Sequence, residues 1–135
     1  MTITDTPRVQ NQNILSYATE IADMIKSGHV AKRAMDAEAL INRLIDEFEA
    51  HVEDENAYLL PHLFQHPNQR VRESAHRSHA MLNEVVPHVF DWGHKWRASN
   101  IQTHPDHFHK ETRQVFMQLK AQIDNENVEL FPLAE

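Results

Sequence analysis

The chain has 135 residues, of which 41% are hydrophobic and 24% charged, a length that suits one compact domain with its own core. Two glycines fit a helical protein better than a sheet protein, whose frequent turns consume glycine. The absence of cysteine excludes disulfides, thiolate-held clusters and a thiol nucleophile. A net charge of −7, from 13 Lys+Arg against 20 Asp+Glu, offers no basic face to track a nucleic-acid backbone.

Taken in chain order, the first stretch, MTITDTPRVQNQ, is polar and is expected to be a flexible segment over 1–12. It lacks the basic-then-apolar shape of a signal peptide, so a cytoplasmic location is expected. A helix is predicted over 13–27 from the stripe Ile14, Ala18, Ile21, Ile25, closed by Lys26-Ser27-Gly28. A second is predicted over 30–65, with Ile41, Leu44, Phe48, Val52 and Leu59 inward, ending at His66-Pro67-Asn68. A third, over 68–98, carries Val71, Ala75, Ser78, Leu82, Val85, Val89, Trp92 and Trp96, with a kink or break expected near 83–87 from Pro87. The fourth, over 104–131, carries Phe108, Thr112, Val115, Leu119, Ile123 and Leu130. Thr103 is its expected cap, and Pro105 sits in its first turn. Spacings of three and four throughout match 3.6 residues per turn. Four amphipathic helices with short links give an all-α, up-down-up-down four-helix bundle over 13–135. No apolar run approaches the roughly 20 residues of a bilayer span, so no membrane partner is expected.

Polar residues interrupt two of the stripes. His51 and Glu55 stand four apart on one helical face, and Gln122 and Glu126 repeat that spacing in the fourth segment. The flanking text repeats too: HVEDENAYLLP begins at His51 and QIDNENVELFP begins at Gln122. Carboxylates and an imidazole inside a core are costly unless protonated, hydrogen-bonded or bound to a cation. Imidazole with carboxylate and no thiolate points to iron, manganese or zinc. A hydrogen-bonded pair without metal is the alternative reading of His51 and Glu55. Of the eleven histidines, His104, His107 and His109 read as a solvated helix terminus. Trp92 and Trp96 read either as core or as an outer strip on which a homodimer could form.

At these residues the sequence resembles the hemerythrin-like family of cation-binding helical bundles. Its phrase is a helical His, a Glu four later, and a Leu-aromatic-Pro-like ending. The resemblance implies a non-haem di-iron centre, held by His and carboxylate ligands from all four helices, that binds or senses oxygen, nitric oxide or redox state, rather than a catalyst. Carried over by position, it implies His51, Glu55 and Glu126 as metal ligands. His79 and His76 are the candidates from the third helix, His79 pointing inward more directly. The sequence departs from the pattern at Gln122, read as a hydrogen-bonding substitute, and at Asn11-Gln12-Asn13, where the first helix would carry a His. The remaining set leaves three outcomes open: one metal, a lopsided pair, or none. With none, the chain would be a metal-free interaction or regulatory module.

Overall fold

The computed structural model describes residues 2–135. Most of those residues are helical, and no strand occurs among them. The first helix, α1 (Asp5–Lys26), starts well before residue 13. The 1–12 segment, expected to be loose, is helical from Asp5. Its reason lies in the stripe itself. Counting back from Ile14 by three and four reaches Asn11, Gln10 and Pro7, all buried. Asp5 is bonded by the Thr2 backbone N–H at 2.9 Å, and its charge suits the positive end of the helix. At the other end Gly28 takes φ 73°, and the N–H groups of Gly28 and His29 return to the carbonyls of Ile25 and Met24. This is the left-handed glycine closure expected from Lys26-Ser27-Gly28.

α2 (Ala34–Asp54) runs into a π-helical turn (Glu55–Leu59) and then α3 (Leu60–Phe64). Asn68 caps α4 (Gln69–Lys95) by accepting from the Arg70 N–H at 2.9 Å. α4 continues unbroken through Pro87. Pro87 deprives the Asn83 carbonyl of its donor, but both residues are exposed, so the freed carbonyl is open to solvent rather than buried. Val85 and Val89 stay on the buried face. A short helix not foreseen, α5 (Ala98–Thr103), is anchored by the fully buried Ile101. α6 (Pro105–Asn125) has His104, not Thr103, at its N-cap position. It ends in a second π-helical turn (Glu126–Leu130), followed by α7 (Phe131–Ala134).

The four long helices close on one another: α1 lies against α2 and α6, and α4 against α6 and α2. A large apolar cluster fills one end, with Ile14, Ile21, Ile41, Leu44, Phe48, Leu82 and Phe108 among its members. Trp92 and Trp96 belong to it, 3% and 2% exposed, so they form no outer strip. The Trp92 indole N–H donates to Thr112 Oγ1 at 2.9 Å, which satisfies its one polar group. A smaller cluster, Leu59, Leu60, Leu63, Val71, Ala75, Leu130 and Phe131, fills the other end. Among the described residues, no helix is long and apolar enough to cross a membrane.

Candidate metal centre

Between the two apolar clusters lies a polar layer to which every long helix contributes. α1 gives Gln10 and Asn11, α2 gives His51, α4 gives Ser74 and Ser78, and α6 gives Gln122. Glu55 and Glu126 are the first residues of the two π-helical turns. The repeated phrase of the sequence is thus also a repeated backbone feature. Single π turns inside α-helices concentrate at functional sites.

His51, Glu55 and Glu126 are 2%, 1% and 0% exposed. Each offers one ligand atom, and these atoms lie within 4.8 Å of one another. His51 Nε2 is 3.0 Å from Glu126 Oε1 and 3.4 Å from Glu55 Oε1. Its Nδ1–H donates to Gln10 Oε1 at 2.9 Å, and Gln10 Nε2 donates to Asp54 Oδ2 at 2.8 Å. This relay from a carboxylate through an amide holds the ring so that Nε2 faces the two glutamates, the role outer partners play around metal-ligating histidines. Asn11 Nδ2 and Gln122 Nε2 each donate to Glu126 at 2.9 Å, one to each carboxylate oxygen. Glu55 Oε1, Asn11 Oδ1 and Gln122 Oε1 are buried acceptors without a hydrogen-bond partner.

The electrostatics follow from that geometry. Burial opposes charge on His51, but the two carboxyl groups beside it outweigh burial and raise its pKa to about 10. Burial, reinforced by the negative charge of Glu126, pushes Glu55 up to about 8, with His51 pulling the other way. Burial would also raise Glu126, yet its bonds from His51, Glu55 and Asn11 and the charge of His51 hold it below the usual carboxylate range. Near neutral pH the cluster therefore rests as imidazolium, neutral Glu55 and carboxylate Glu126, with no net charge.

The donor set could hold one cation. One imidazole and two carboxylates face one another, and one of their oxygens, Glu55 Oε1, is the orphan. Gln122 and Asn11 meet Glu126 with their amide N–H groups, which leaves their carbonyl oxygens unpartnered. His79 and His76 are not brought to the cluster. His79 is half-buried and meets Asn83 at 3.2 Å, with its ring edge on Phe64. His76 is exposed and stacks on Phe64 at 4.4 Å. The inward register of α4 passes through Ser74 and Ser78, which leaves His79 one residue past the face. Among the described residues His51 is the only buried histidine, and His104, His107 and His109 are exposed as expected.

Gln10 was not anticipated from the sequence, and Asn11 was read only as a departure from the family pattern, because both lie in a stretch that reads as loose. The three-and-four count backwards from Ile14 was the available signal. Comparison with protein-family models, with curated proteins and with solved structures finds no match to this chain.

Proposed function

We propose that the chain is a hemerythrin-like metal-binding protein, an up-down-up-down four-helix bundle that holds one divalent ion between His51, Glu55 and Glu126. The observation that carries this reading is Glu55 Oε1, a carboxyl oxygen at 1% exposure that faces His51 Nε2 at 3.4 Å without a hydrogen bond and lies within ligand range of two other donors. A buried acceptor of that kind costs several kcal/mol unless a proton or a cation satisfies it. Iron is the first candidate, with manganese and zinc compatible with the same donors. Bound there, iron would supply reversible one-electron chemistry and affinity for small diatomic gases, so the proposed role is to bind or sense oxygen, nitric oxide or redox state.

The protein's own part is to fix three ligands and exclude bulk water. His51 is oriented by Gln10, and Glu126 by Asn11 and Gln122. Three charged or imidazole ligands support one ion rather than two, because Asn11 and Gln122 offer only neutral amide oxygens and His76 and His79 lie outside the layer. Exchange of the His51 and Glu55 protons for a divalent ion keeps the buried charge balanced, which favours a divalent over a trivalent guest.

A second reading has its own observation. Both ring nitrogens of His51 and both oxygens of Glu126 already have protein partners, as a metal-free interaction module would require. The two readings separate by melting. Protein stripped with chelator and loaded anaerobically with Fe(II), Mn(II) or Zn(II) at about 100 times the Kd should gain about 2.7 kcal/mol, roughly 10 °C in Tm. Glu55→Gln should abolish the gain while leaving the stripped protein near wild-type stability, because Glu55 is mostly protonated at pH 7. No gain with any ion would leave the metal-free module standing.

A further inference from the structure

His51, Glu55 and Glu126 are sealed, yet the seal has one thin side. A cleft of about 350 Å³ lies between the first turn of α1 and the π-helical turn Glu55–Leu59, and Glu55 is part of its wall. The four other clefts described on the molecule contain none of the three ligand residues. The only ionisable groups of opposite sign to a cation on this wall are Asp54 and Glu55, and no Lys, Arg or His lines it. Asp54 is half-buried and bonded to Gln10, which in turn holds His51. The wall therefore joins the ligand cluster through two routes, one covalent through Glu55 and one hydrogen-bonded through Gln10. Glu55 supplies the independent sign of a guest: its Oε1 is unpartnered and the residue is 1% exposed. The facing wall is pinned, since buried Thr4 donates to Glu135 and Arg8 pairs with Glu135 at 2.9 Å. The cleft thus stands open as far as Glu55, and only that side chain's part of the wall separates it from His51 and Glu126.

We infer that divalent cations reach the buried cluster through this cleft, drawn by Asp54 and handed to His51 and Glu126 by Glu55. Low-dielectric walls carrying one sign of charge concentrate the opposite ion and speed its association. The inference rests on the cation-binding reading above and adds the direction from which the ion arrives.

The test separates rate from affinity. Thr6 and Ile3 line the cleft from the α1 side and are exposed, so a larger side chain there obstructs the cleft without entering the core. Co(II) uptake by chelator-stripped full-length protein is followed in stopped flow by its visible absorption, and the Kd is measured at equilibrium. Thr6→Trp and Ile3→Trp should each slow uptake at least tenfold with Kd within about twofold of wild type. Met117→Trp, on an exposed position of a remote cleft, should match wild type in both. Wild-type uptake rates in both obstructed variants, with Kd intact, would overturn the route and leave the metal site standing. Failure of wild-type protein to bind Co(II), Zn(II) or Fe(II) at all would overturn the route together with the reading beneath it.

Discussion

His51 is the residue on which the buried layer turns, and its proton sets the pH behaviour of the whole chain. Its folded pKa of about 10 lies above the ordinary 6.5, so its contribution to stability is complete below about pH 6.5 and is lost as pH rises through 10. Glu55, raised from 4.5 to about 8, keeps a proton that the unfolded chain surrenders, which also removes stability as pH climbs from 4.5 to 8. Glu126 is lowered, so its contribution is present above 4.5 and fades only in stronger acid. Metal-free protein should therefore lose Tm steadily from pH 5 to pH 9. The gain from Zn(II) should grow over the same interval, because the ion displaces those two protons. Melting curves at pH 5, 7 and 9, in chelator and in Zn(II), test both slopes, and a flat or rising metal-free curve would contradict the proton arrangement. His51, Glu55 and Glu126 were legible in the sequence as polar breaks in apolar stripes. His79 was not separable from Ser78, since neighbouring positions at a stripe's edge differ only by one step of rotation.

At the scale of elements, the two π-helical turns explain a spacing that an ordinary helix does not sustain. His51, Glu55, Leu59 and Leu63 are all buried and follow one another by four. Against 3.6 residues per turn, three such steps overshoot by roughly one residue, and the wider turn at Glu55–Leu59 absorbs it. The same argument covers Gln122, Glu126 and Leu130. The run of fours was visible in the sequence, but nothing in residue type marks a π turn, so a plain helix was expected through both. α4 presents another close fit. A Cβ on Gly93 would fall 2.5 Å from Ile45 Cγ1, and would also collide with Ile45 Cδ1. Gly93→Ala gains about 1 kcal/mol in helix propensity against an overpacking cost of about 1–3 kcal/mol. The net effect expected in urea denaturation is a loss of about 1 kcal/mol. Ile45→Ala added to Gly93→Ala should cost less than the two single changes summed.

Over the whole molecule, two apolar clusters of unequal size flank one polar storey. Most of this was legible: helices ending at Gly28 and near Pro67, and stripes that name most residues of the larger cluster, though not Met24, Val30, Ala34, Ala37 or Ile101. What remained hidden was the start of α1 at Asp5, because its inward side carries Pro7, Gln10 and Asn11 rather than aliphatic residues. The helix α5 was hidden too, since Ile101 is its one buried residue. The smaller cluster is built from pieces distant in sequence, Leu59 to Leu63, Val71 to Ala75 and Leu130 to Phe131, so it has no means of folding apart from the rest. Leu63→Ala, at a fully buried position, should cost about 2–5 kcal/mol. Far-UV and near-UV circular dichroism should still report one coincident transition. Two separated transitions would show that the ends melt independently.

The layer has a mechanical consequence. Rods greased by hydrocarbon along their full length could slip past one another by a turn, about 5.4 Å, with little to choose between the two heights. Here such a slip would carry Glu126 away from its imidazolium and into the company of leucines and phenylalanines, a stranding that costs several kcal/mol. The charged rung acts as a pawl, and it locks the vertical setting of every rod in the barrel of helices.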